Sequence, residues 1–122
     1  MRVFVLIFLF FAAGCGKPST DDWLRQLKDA DVVKRRQAVR ELGAKPSGNS
    51  RVVAGLTEAL QDENGYVRHD AAVALGKFGN EASSSIPSLV QALTDREANV
   101  RSAAGVALKK IDPEMAKKSG VR

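Results

Sequence analysis

Side chains able to do chemistry are scarce in this chain: its 122 residues include one Cys, Cys15, and one His, His69. A single Cys cannot close an internal disulfide, and one Cys with one His cannot complete a zinc site, which takes three or four protein ligands. His69 is followed by Asp70, and a neighbouring carboxylate can hold an imidazole near physiological pKa for general-base work. Consecutive helical side chains diverge by about 100°, however, so the two are expected not to pair. No Cys or second His stands in the same stretch to serve as nucleophile or ligand. The expectation is a solvated surface: no catalysis, no cofactor, no metal and no small-molecule substrate. Nineteen Lys and Arg against fourteen Asp and Glu give +5 and a pI near 9.7, which favours acidic partners. Nucleic acid is not expected, because no aromatic residues interleave with the basic ones to stack on bases.

The elements that position these residues follow from composition and period. A chain of this length fits one domain. At 44% hydrophobic but only 6% aromatic, its core is built mainly from Ala, Leu and Val, which favours helices. Leu27, Leu60 and Leu93 are spaced by 33 residues, and the same offset aligns Trp23, Leu56 and Leu89; Asp29, Asp62 and Asp95; Arg35, Arg68 and Arg101; Ala38, Ala71 and Ala104; and Leu42, Leu75 and Leu108. A period in this range means stacked units that bury a shared core. Each unit splits into two helical stripes, as in Leu56, Ala59 and Leu60, then Val67, Ala71, Ala74, Leu75 and Phe78. Asp31 and Asn64 are expected to cap second helices, with Glu97 a poorer occupant of the equivalent position. Pro46, Gly79 and Asp112-Pro113 mark where those helices stop, and Pro87 stands at a helix start.

Asp62, Val67-Arg68, Ala71-Ala72 and Ala74-Leu75-Gly76-Lys77 resemble the short, phycobilisome-lyase-related type of HEAT-like repeat, whose pattern runs from a Leu-rich helix through Asp and Val-Arg to an Ala-rich helix ending Ala-Leu-Gly. The resemblance covers about three repeats, from Trp23 to Asp112. It implies an all-α solenoid of about three helix pairs, with the Asp and Arg columns linking neighbouring repeats. The Thr-Pro-Leu-His signature of ankyrin and the Trp-Leu-Gly-Tyr pattern of tetratricopeptide repeats are absent, as are the several His-Glu pairs of the di-iron deoxyhypusine hydroxylase type. The first repeat departs at Lys34, Glu41 and Lys45, polar residues on the core stripe, as suits an end unit with one unstacked side. Opposite the core stripe on the second helices stand Arg36, Arg40 and Gly43; His69, Val73 and Gly76; and Ser102, Val106 and Lys109. In HEAT-like stacks this face lines the concave side. Arg36, Arg40, His69, Val73, Val106 and Lys109 are therefore the candidate partner-binding residues, expected to be jointly exposed and individually unimportant for stability.

The N-terminus reads as an export segment. Met1-Arg2 is followed by an apolar run from Val3 to Ala13, too short at about 1.5 Å per residue to cross about 30 Å of hydrocarbon. Ala12-Ala13-Gly14-Cys15 resembles the lipobox of bacterial lipoproteins, with Ala12 where Leu is usual. The resemblance implies cleavage before Cys15, lipidation of its thiol, and attachment to a membrane of the bacterial cell envelope, outer or cytoplasmic. The organisation expected is a signal peptide at 1–14, a lipidated tether at 15–21, the HEAT-like domain at 22–112, and a basic tail at 113–122 that is solvated and partly disordered. The function expected is that of a membrane-tethered interaction scaffold for a protein partner. The alternatives are a non-catalytic accessory subunit of a cell-envelope enzyme and a structural spacer.

Overall fold

The computed structural model describes residues 16–122, and Cys15 with the whole export segment lies outside them. Among the described residues seven α-helices follow in order: α1 (Thr20–Gln26), α2 (Val32–Ala44), α3 (Ser50–Ala59), α4 (Gly65–Phe78), α5 (Ile86–Ala92), α6 (Ala98–Ile111) and α7 (Pro113–Lys118). A 3-10 segment, Gly79–Ser85, joins α4 to α5, and there is no strand among the described residues. The fold is an α-solenoid of three helix pairs: α1 with α2, α3 with α4, and α5 with α6.

The helix boundaries follow local chemistry. Ser19 and Asp22 form a reciprocal capping box at α1. Asp31 accepts the Val33 amide, Asn49 accepts that of Arg51, and Asn64 accepts those of Tyr66 and Val67. Glu97, at the position equivalent to Asp31 and Asn64, makes no side-chain cap. Gly79 turns the chain out of α4 with φ at 56°, a conformation that costs glycine little and a side-chain-bearing residue more.

Each pair buries its two stripes, and successive second helices then stack α2 on α4 on α6. Leu56, Leu75, Leu89 and Leu108, with Val39, Val52, Val67 and Val100, are wholly enclosed, each side chain worth about 1.5–3 kcal/mol of burial. Lys34, Glu41 and Lys45 are exposed, whereas Val67, Ala74 and Phe78, one period later, are buried. The N-terminal face of the stack is thus closed by polar side chains, as expected of an end unit. Accordingly α1 has no buried residue, and Trp23, Leu24 and Leu27 are only partly covered.

Two expectations are corrected. Gly43 and Gly76 do not lie on the open face: a Cβ on Gly43 would stand 2.6 Å from the Ala74 Cβ, and one on Gly76 would stand 3.2 Å from the Ala107 Cα. The second helices approach each other closely at these glycines: at Gly43 a Cβ would force Ala74 to shift, whereas at Gly76 it would be tight but could be accommodated. The tail is not disordered either. Asp112 accepts the Met115 amide and Pro113 occupies the first turn of α7, so the residues that stop α6 also start a new helix. Ala116 is buried, and Val121 packs over Gly105, where a Cβ would meet its Cγ1 at 3.2 Å.

Candidate partner-binding ridge

The Asp and Arg columns form a ladder. The Arg35 guanidinium donates through Nη1 to the carbonyls of Asp29 and Ala30, at 2.9 and 3.1 Å, and through Nε and Nη2 to both Asp62 carboxylate oxygens, at 2.9 and 3.2 Å. Arg68 repeats the pattern one unit on, donating to the carbonyls of Asp62 and Glu63 and to both oxygens of Asp95 at 2.9 and 3.1 Å. Each Asp also accepts an amide in its own turn: Asn64 donates to Asp62 and Glu97 to Asp95, both at 2.9 Å. Burial raises the Asp95 pKa, but the Arg68 hydrogen bonds, the Glu97 amide and the charges of Arg68 and Arg96 outweigh it and hold the carboxyl below its usual range. Arg101 keeps only the carbonyl contacts, to Asp95 and Arg96, and is exposed. This ladder joins repeats, as the resemblance implied.

A second charged cluster sits on the face of the second helices opposite the core stripe, and it changes the reading of the candidate residues. Arg36 donates from Nε to Asp70 Oδ2 at 2.9 Å, Arg40 Nε stands 3.4 Å from the same oxygen, and His69 Nδ1 lies 3.2 Å from Asp70 Oδ1. His69 and Asp70 therefore do pair. The angle between consecutive residues fixes where Cβ atoms point, not where carboxylate oxygens end, and the arginines of α2 draw the Asp70 carboxylate across the helix. Burial raises the Asp70 pKa, but hydrogen bonds from Arg36 and His69 and the charges of Arg36 and Arg40 hold it below the usual carboxylate range. A carboxylate so tied is a poor base. Ser102 lines the same hollow as His69 but makes no hydrogen bond to it among the described residues. Nor do the described residues contain a cluster of three or more His, Cys, Asp or Glu suited to a metal.

The other candidate residues fall where the period put them. Arg40, Val73, Val106 and Lys109 are exposed, the two valines at 41% and 51%, and His69 is half-buried. Arg36 is the correction. It is half-buried, bonded to Asp70, and stacked over the Tyr66 ring at 5.0 Å from its centroid, so it is a structural residue as much as a surface one. Tyr66, 65% exposed, was missed by the sequence reading: it falls in the column Val33, Tyr66, Asn99, one turn before the columns counted there. Two hollows run beside these residues. One of about 480 Å³ is lined by Arg36, Arg40, Tyr66, His69 and Asp70; the other, of about 250 Å³, by His69, Val73, Ser102, Val106 and Lys110. A larger hollow, about 650 Å³, lies between α1 and α3, and its charges are already paired, Arg35 with Asp62 and Lys28 with Glu58.

HEAT repeats match residues 20–109. The chain belongs to the HEAT-repeat family. A chain in the structure of the complex of CpcE and CpcF of phycocyanin lyase from Nostoc sp. PCC7120 is similar to it, with a TM-score of 0.77 and 27% identity over 87% of this chain and 42% of that one. The HEAT stack described here thus spans less than half of that chain's length. No curated protein matches. The repeats are thus HEAT repeats similar to those of a phycocyanin lyase chain, and no helix among the described residues is long and apolar enough to cross a membrane.

Proposed function

We propose that this protein is a non-catalytic HEAT-repeat scaffold, tethered to a membrane of the bacterial cell envelope through lipidated Cys15, that binds a protein partner on the concave face of the stack, formed by α2, α4 and α6. The observation that carries the reading is the exposure of Tyr66, Val73 and Val106 together on helices locked against each other at Gly43 and Gly76, with Arg40 at one end and Lys109 and Lys110 at the other. Exposed apolar side chains on a rigid support, rimmed by charge, are what a docking surface needs. The tether rests on the sequence: Cys15 is the sole thiol, it follows the apolar run, and two or more acyl chains anchor stably where one binds marginally.

A second reading, an accessory subunit of a cell-envelope enzyme, is favoured by the similarity to a chain from a two-protein lyase complex. Co-purification from solubilised membranes tests both. Cys15→Ser should leave the membrane fraction, and Val73→Asp with Val106→Asp should stay on the membrane but lose the co-purifying protein. An enzymatic activity lost together with that protein would select the accessory reading. A partner retained by the double variant would refute the choice of face, and a wild-type chain without acyl label would refute the tether.

A further inference from the structure

The ridge has a repeat distance, and that distance selects a ligand. Arg40, Val73 and Val106 form one column across the stack, stepping by 33 residues from α2 to α4 to α6. Packed helices lie about 8–10 Å apart, so the column offers a cation and then two apolar side chains at that interval. A β-strand returns a side chain to the same face about every 6.6 Å and falls out of step. A polyproline-type helix has three residues per turn and a rise of about 3.1 Å, so every third residue returns to the same face after about 9 Å. An α-helix also returns in step every seventh residue. Its carbonyls, however, are spent internally, and its width of about 10–12 Å would leave it on the valine rims, above a hollow of about 250 Å³. That hollow is lined by His69, Asn99 and Ser102, which present donors beside the valines. An extended segment has free carbonyls to meet them, and the exposed Tyr66 ring adds an aromatic wall of the kind such segments use.

Charge completes the match. Asp70, at 11% side-chain exposure, is occupied by Arg36, whereas Arg40, at 63%, stands farther off, its Nε 3.4 Å from that carboxylate and without a hydrogen bond to it. The outer edge of the Arg40 guanidinium is left for a second carboxylate, and its planar fork suits one. We propose that the ridge takes an extended, polyproline-type segment of a partner protein in which a carboxylate residue is followed at three-residue intervals by two apolar residues. The carboxylate meets Arg40, and the apolar side chains seat at Val73 and Val106. This rests on the ridge being the partner site and adds the chemistry of what it receives.

The test uses the full-length protein in detergent and three fluorescent peptides followed by anisotropy. The first is Glu-Pro-Pro-Leu-Pro-Pro-Leu, the second has the same composition with Glu and Leu at two-residue spacing, and the third is an alanine-based helix with Glu and Leu seven residues apart. The first should bind at least tenfold more tightly than the others, weaken with salt, lose at least fivefold with Arg40→Gln, and lose binding with Val106→Asp. Equal or tighter binding of either control overturns the proposal. So does binding of the first peptide that survives Val106→Asp, or no binding of it at millimolar concentration. If the peptides fail while Val73→Asp with Val106→Asp still releases the co-purifying protein, the ligand class falls and the site stands. If that release fails, the site falls whatever the peptides do.

Discussion

Replacing Asp95 by Ala tests how the repeats are joined. Asp95 accepts two hydrogen bonds from Arg68, at 2.9 and 3.1 Å, and the two side chains are only 12% and 6% exposed. Truncation leaves the Arg68 guanidinium bonded to the carbonyls of Asp62 and Glu63 but with its charge uncompensated, and removes the acceptor of the Glu97 amide. Breaking a buried pair in this way costs about 3–5 kcal/mol, against a total stability of about 5–15 kcal/mol for a small domain. Arg101→Ala, in the same column but exposed and bonded only to carbonyls, should cost no more than about 0.5 kcal/mol. Urea unfolding followed by circular dichroism at pH 7 reads the difference as a midpoint lower by about 1 M or more, at unchanged slope. Because the folded carboxyl titrates below its ordinary value of 3.8, its contribution is present above that pH and is lost as pH falls through the depressed value. The gap between wild type and variant should therefore hold from pH 7 to pH 5 and close in stronger acid. An Asp95→Ala chain within about 1 kcal/mol of wild type, or an Arg101→Ala chain equally damaged, would refute the reasoning.

Two further substitution pairs separate packing effects by magnitude. Leu75→Ala, at a wholly enclosed central position, should cost about 2–5 kcal/mol, and Leu42→Ala less, since Leu42 is 6% exposed beside the hollow at the N-terminal end; equal losses would deny the end unit its looser packing. Gly43→Ala puts a Cβ 2.6 Å from the Ala74 Cβ, so an overpacking cost of about 1–3 kcal/mol should exceed a helix-propensity gain of about 1 kcal/mol. At Gly76 the nearest contacts are 3.2 and 3.4 Å, and Gly76→Ala should be close to neutral. Thermal unfolding of both variants checks the order, and a Gly43→Ala chain more stable than Gly76→Ala would reverse it.

The 33-residue period made the stack, its core and its ladder readable, because every repeat must present the same side chains to its neighbours. That Arg35 and Arg68 reach neighbouring Asp residues was what the HEAT-like resemblance implied for those columns. What escaped lay between columns. Asp70 has Gln37 and Ala103 as its periodic equivalents, so the arginine cluster around it is particular to one unit and leaves no repeat signal. Tyr66 stood one turn outside the columns counted, and angular counting placed Gly43 and Gly76 on the open face because it cannot show that a glycine draws the next helix over it. Asp112-Pro113 carried two meanings, stop and start, and only the burial of Ala116 and the packing of Val121 separate them.

The central claim, that the concave face formed by α2, α4 and α6 is where a partner docks, is tested most directly by placing a photo-crosslinking amino acid at Val106 and, as control, at Ala54, which is exposed beside the hollow between α1 and α3. Irradiated in living cells, the chain carrying the probe at Val106 should form one discrete adduct with another protein, and the chain carrying it at Ala54 should form none. An adduct from Ala54 and none from Val106 would contradict the account.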